Sequence, residues 1–258
     1  MSHLIENFTF ENEYYNTEEK NKDDNMNKNN NIFDYLYQLK IPEKINNYID
    51  VSIKEMLSEK TYHDIYSKQD IPNYISKIKK IIFCAIYDII YINYLPSPID
   101  TIIYNKSNML SWTKLSHFTN EEFPLHQSLI PSIIDCFKNL EKKKIPQIKL
   151  SYLIKIKEIL SSIHCNKEIS FNNKKLNNIY YLNPILIYSI IKSKPKTLES
   201  DIRYIEVFVD LKDKDKENKY IEEIKNHLLF IIDMNHKDLY GNISEEDYNK
   251  KCNIYLNK

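Results

Sequence analysis

The chain has 258 residues, with 36 basic side chains balanced by 36 acidic ones, so no global field draws it to nucleic acid or to an anionic membrane. A hydrophobic fraction of 42% suffices for a sizeable core, while four cysteines without short spacing give no paired-cysteine zinc signature. The single glycine, Gly241, argues against phosphate-cradling loops and most all-β folds, which need glycine where the backbone approaches closely or takes positive φ.

The opening MSHLIENFTF turns acidic too soon for a secretory leader, and residues 11–31 are too poor in apolar side chains to offset the cost of ordering. Residues 1–31 are therefore expected to be a disordered Asn/Lys/Glu-rich tail. Helical spacing begins at Ile32: Phe33, Leu36, Tyr37 and Leu39 share an arc that Pro42 stops. Ile45, Ile49, Ile53, Met56 and Leu57 form the next stripe, and Ile65 and Tyr66 belong to a shorter piece before Pro72. Together these make an N-terminal helical segment, 32–72.

The strongest pattern runs from Tyr74 to Tyr91, where Ile75, Ile78, Ile82, Ala85, Ile86 and Ile89 follow three-and-four spacing. It predicts the central, most buried helix, ended by Pro96 and Pro98. The apolar run Ile81–Leu95 within it is interrupted by Asp88 and Asn93 and is too short to span a bilayer. A short piece follows through Met109, Leu110, Trp112 and Leu115, then helices at Leu129–Leu140 and, after Pro146, at Gln147–Ile163. Asn183-Pro184 reads as a helix start, with Asn as cap and Pro in the first turn. That helix continues as ILIYSIIKSK and stops before Pro195. Further helices are expected at Asp201–Phe208 and Glu217–Met234, and Ser244 with Asp247 resembles a capping box for a last one. The predicted fold class is all-α: an irregular layered helical domain over 73–254, preceded by a short helical bundle.

Side chains suited to catalysis are scattered. Cys84, Cys136, Cys165 and Cys252 read as reduced core thiols, and His164 beside Cys165 lacks a supporting acid or second ligand. Seven histidines show no HExxH spacing, and no serine sits in a glycine elbow. Hydrolase and transferase chemistry is unsupported, and neither metal nor cofactor is expected. Trp112 reads as a core anchor, Tyr204 as packing, and KDKDKENK as a solvated loop.

Read in order, KIKKIIFCAIYDIIY, MLSWTKLSHF, IPQIKLSYLIKIKEIL, NPILIYSIIKSKPKTLESDIRYIEVF, KYIEEIKNHLLFIIDM and ISEEDYNKK resemble the successive helices of the Vps-nine domain. That family is the guanine-nucleotide exchange domain for Rab-five-subfamily small GTPases. The resemblance covers roughly Ile75 to Lys251, and it implies a helical groove that grips GTPase switch regions. It also implies an aspartate, just before a Leu-Pro helix, that partners the GTPase's P-loop lysine and disfavours magnesium. With Pro184 on the motif proline, the acidic pair falls on Tyr180 and Tyr181 and the motif leucine on Asn183. Tyrosine is neutral near pH 7, and no Asp or Glu lies between Phe171 and Pro195.

A Tyr and a Thr at the head of the family's penultimate helix map onto Lys219 and Glu222, with Tyr220 offset by one. The implied GTPase-binding set is Tyr180, Tyr181, Asn183, Pro184, Tyr188, Lys219, Tyr220 and Glu222, and Glu222 or Glu223 is the available replacement acid. The implied function is exchange-factor-type regulation of a Rab-five-subfamily GTPase in endocytic and vesicular traffic, weakened if the missing acid is not replaced. The alternatives are an inactive GTPase-binding scaffold and a helical adaptor. Nucleic acid is not an expected partner. The implied location is cytoplasmic, with peripheral presence on early endosomes or endocytic vesicles through partners.

Overall fold

The computed structural model describes residues 41–58, 71–94, 97–119, 129–163, 183–209, 211 and 215–256. The expected tail, the Phe33–Leu39 stripe, Ile65, Tyr66, His164, Cys165, Tyr180 and Tyr181 lie outside them. Among the described residues the elements are helical, with no strand: α1 Ile41–Ser58, α2 Ile71–Tyr94, α3 Pro98–Met109, α4 Ile130–Glu141 and α5 Pro146–Ile163 come first. They are followed by α6 Pro184–Ser193, α7 Leu198–Phe208, α8 Asp215–Asp233 and α9 Glu245–Leu256. Single 3-10 turns sit at Leu115–His117 and His236–Asp238.

The predicted spacing explains most of these helices. On α1, Ile45, Ile49 and Ile53 are the buried stripe, and the helix packs on α2 and α7. Helices α4, α5 and α6 pack together through Ile133, Phe137, Leu140, Leu153 and Ile156, while α3 and α8 flank α6 and α9 lies on α3.

The central helix is α6 and not α2. Ile185, Leu186, Ile187, Ile190 and Ile191 are all fully buried, as expected for a short helix that is apolar on every side. On α2 the buried side chains are Ile82, Phe83, Tyr87 and Tyr91, whereas Ile81 is 65% exposed and Cys84 is exposed rather than in the core. The isoleucine stripe gives way to an aromatic face because Tyr87 and Tyr91 have polar partners to cover. Their rings stack at 4.6 Å, and Tyr204 meets both edge-on.

Those partners are a buried ion pair. Lys149 Nζ lies 2.6 Å from Asp201 Oδ1, and neither side chain has any exposed surface. The ammonium also donates to the Leu140 carbonyl at 3.1 Å and sits 5.6 and 5.4 Å from the ring centres of Tyr87 and Tyr91. The carboxylate accepts from Tyr91 Oη at 2.6 Å and from Thr197 Oγ1 at 3.2 Å. Burial pushes Asp201 up to about 6 and Lys149 down, each against the pull of the other. With three donors on the carboxylate, the contact holds the pair ionised at neutral pH.

Helix α3 has no counterpart in the expected elements. Ser97 accepts from the Ile99 amide at 3.3 Å as its cap, and Pro98 takes the first helical position. Asp100, in its first turn, caps a different helix. Its carboxylate accepts from the Glu199 and Ser200 amides of α7 at 2.8 and 3.2 Å and from Ser200 Oγ at 2.5 Å. Thr197, the residue preceding α7, makes no side-chain cap bond of its own. Removing the carboxylate leaves these buried donors unmatched. Asp100→Ala is therefore expected to lower stability by about 2–3 kcal/mol in urea denaturation, with Asp100→Asn recovering part of the loss. A change below about 0.5 kcal/mol, the level of a solvated cap, would show that α7 does not depend on Asp100.

Candidate functional site

The chain enters α6 through Asn183, whose backbone is extended and whose side chain accepts from the Ile185 and Leu186 amides at 3.0 and 3.1 Å. Pro184 occupies the first position and is buried. The Asn183 amide itself points away from the helix and donates to His227 Nε2 of α8 at 2.7 Å. His227 Nδ1 faces the Glu223 carbonyl of its own helix at 2.6 Å. A carbonyl only accepts, so Nδ1 carries the proton and Nε2 is bare, which is the tautomer Asn183 requires.

The imidazole has no exposed surface. Burial holds its pKa down at about 4, outweighing the carbonyl bond, which favours the charged form. The folded pKa thus lies below the unfolded value of 6.5. The contribution of this group to stability is present above pH 6.5 and lost as pH falls through 4, a span of roughly 3 kcal/mol.

Helix α8 has two faces beside this junction. Lys219, Glu222 and Leu229 point to solvent, Leu229 with 56% of its surface exposed. Tyr220 turns inward, 2% exposed, under the Lys157 ammonium at 5.2 Å from its ring. Its hydroxyl has no hydrogen-bond partner among the described residues, and burial pushes the phenol pKa up.

The two neighbouring acids differ. Glu222 is exposed and lies 3.3 Å from Lys225, which also contacts Glu206 at 2.5 Å. Glu223 is half-buried; desolvation raises its carboxyl pKa, with Lys157 pulling the other way.

Asn183 and Pro184 therefore meet α8 through His227, while Lys219 and Glu222 lie on the outer side of the same helix. Tyr188 is half-buried on another side of α6, 6.0 Å from the Phe118 ring and beneath Lys192 at 5.3 Å. Burial raises its phenol pKa. Trp112 is half-buried rather than a core anchor, with Lys251 4.7 Å from its ring, and Tyr204 is fully buried. His227 is a site residue absent from the expected set; its signal in the sequence is its place seven residues after Tyr220, on the inward face of a predicted helix.

Among the described residues, no group of three or more His, Cys, Asp or Glu side chains is arranged to hold a metal. No described helix is long and apolar enough to cross a membrane. The class defined by this architecture is an all-α domain built around one buried helix whose entry is tied to a neighbouring helix. Residues 130–224, from α4 into α8, match the family model of the vacuolar sorting protein 9 (VPS9) domain. No curated protein matches the chain.

Proposed function

We propose that this protein is a guanine-nucleotide exchange factor-type regulator of a Rab-type small GTPase, with the Rab-five subfamily as its partner class and vesicular traffic as its setting. The observation that carries the reading is the VPS9-family match over 130–224, which includes α6 and the half of α8 bearing Lys219 and Glu222. The exchange domain is assigned to 73–254, with 32–72 as the helical segment before it. Tyr180, Tyr181, Asn183, Pro184, Tyr188, Lys219, Tyr220 and Glu222 make up the proposed GTPase-binding set, in which the buried Pro184 and Tyr220 act by shaping the contact surface. The protein works in the cytoplasm and reaches early endosomes or endocytic vesicles through its partners.

Bound nucleotide is held largely by cationic contacts to its phosphates and by Mg²⁺. A carboxylate offered to the GTPase's phosphate-binding lysine stabilises the nucleotide-free state by a charge-assisted contact. The second reading, an inactive GTPase-binding scaffold, is favoured by one specific observation: no acid lies between Phe171 and Pro195.

Release of a fluorescent GDP analogue from Rab-five-type GTPases tests both. The expected result is an acceleration of about tenfold or more, equivalent to some 1.4 kcal/mol at the transition state. Stable binding to nucleotide-free GTPase without release selects the scaffold. With neither binding nor release, both readings fail.

A further inference from the structure

We propose that His227 is a positioning residue: its bare Nε2 holds the first turn of α6 against α8, so that one proton taken up there releases Asn183 and loosens the site. Two contacts of Asn183 matter in this junction. Its side-chain oxygen caps α6 from within, and its amide ties the start of that helix to α8. The second tie depends on a single lone pair. A protonated imidazole presents N–H on both nitrogens. Nδ1–H remains matched to the Glu223 carbonyl, but Nε2–H would face the Asn183 N–H, donor against donor, in a contact now 2.7 Å long. Either the ring or the helix entry must move.

The surrounding charges among the described residues give a proton no compensation. On its own helix, Glu223 meets the ring through its backbone carbonyl, and its carboxylate is the group on which Lys157 of α5 acts. Tyr220, two turns earlier, is an uncharged buried phenol. From α3, Lys106 is tied to the Met234 carbonyl at 2.6 Å, beyond the far end of α8. On α6, Lys192 is tied to the Ser111 carbonyl at 2.6 Å, more than two turns from Asn183. A buried imidazole with one donor bond, one acceptor bond and no counter-ion among the described residues is a selective lock for the neutral form. Asn183 and Pro184 belong to the proposed GTPase-binding set, so the effect on GTPase binding rests on that reading, whereas the junction itself does not.

The test uses the full chain and has two arms. In the first, nuclear magnetic resonance follows the His227 ring and the hydrogen exchange of the Asn183 amide from pH 7.5 to 3.5, through the folded pKa of about 4 and corrected for intrinsic exchange. Protection of that amide is expected to fall about tenfold or more as the ring takes up its proton. In His227→Gln, which has no proton to gain in this range, Asn183 protection is expected to show no such pH dependence. If the ring titrates near 6.5 while Asn183 keeps its protection, the proposal is overturned; the native chain alone suffices for this, so a poorly folded variant does not block it.

In the second arm, binding of nucleotide-free GTPase is compared between pH 7.5 and 4.5, toward the range in which the folded ring takes up its proton. The native chain is expected to weaken relative to His227→Gln. If the first arm succeeds and the second shows no difference, the lock stands and the placement of the GTPase at this junction falls.

Discussion

Lys149→Ala is expected to cost about 3–5 kcal/mol, enough to unfold a large fraction of the chain, because it strands the carboxylate of Asp201 in the core. The pair is 2.6 Å apart with neither side chain exposed, so water cannot take over the role of the ammonium. Tyr91 and Thr197 would still donate to the carboxylate, but neutral donors do not balance a buried charge. Asp201→Leu is expected to do comparable damage from the other side, leaving Lys149 with the Leu140 carbonyl and the faces of Tyr87 and Tyr91. The decisive measurement is the double change Lys149→Met with Asp201→Leu. It removes both charges and should cost less than the sum of the two single changes by about 2 kcal/mol or more. Additive losses would mean that the two groups are stabilised independently, and that the pair does not organise the packing of α5 against α7.

These features differ in how far they could be read from the amino-acid order, and the difference is one of range. The cap at Asn183-Pro184 is written in adjacent residues, and α6 begins where that dipeptide predicts. Helix α4 begins one residue after the expected Leu129, and α5 begins at Pro146 itself, one residue before the expected Gln147, because proline is well suited to a first turn. The same property hides α3: in the sequence Pro98 looks like the end of one helix, and in the structure it opens the next. Helix α7 starts at Leu198, three residues before the expected Asp201, because Asp100, about 100 positions away, caps it. The buried face of α2 departs from the expected stripe for a related reason. Its isoleucines satisfy the helical period, but Tyr87 and Tyr91 are drawn inward by Lys149 and Asp201. His227 and Lys149 find their partners 44 and 52 positions away; the helical period places His227 on the inward face, but nothing local names the partner of either.

Glu223→Gln is expected to slow GDP release by about ten- to a hundredfold, while Glu222→Gln leaves it within about threefold, if the acid missing before α6 is supplied from α8. The contrast follows from their surroundings. Glu222 is exposed and already beside Lys225, so its field is screened by solvent and shared with a neighbour. Glu223 is half-buried, makes no side-chain hydrogen bond among the described residues, and is one turn before the histidine that holds Asn183. A carboxylate short of hydration gains more from meeting a cation than one already paired in water, and the GTPase's phosphate-binding lysine is such a cation. Lys157 donates to the Lys216 carbonyl at 3.1 Å and acts on Glu223 only through its charge, which competes with the GTPase's lysine for the carboxylate, so Lys157→Met is expected to speed release. Tyr180→Asp places an acid where the family resemblance puts one, and should raise release in the native chain and restore it in Glu223→Gln. If Glu223→Gln releases GDP as fast as the native chain, α8 is not the source of the acid. If Tyr180→Asp then accelerates an otherwise slow protein, the natural chain is a GTPase-binding scaffold that lacks only one charge.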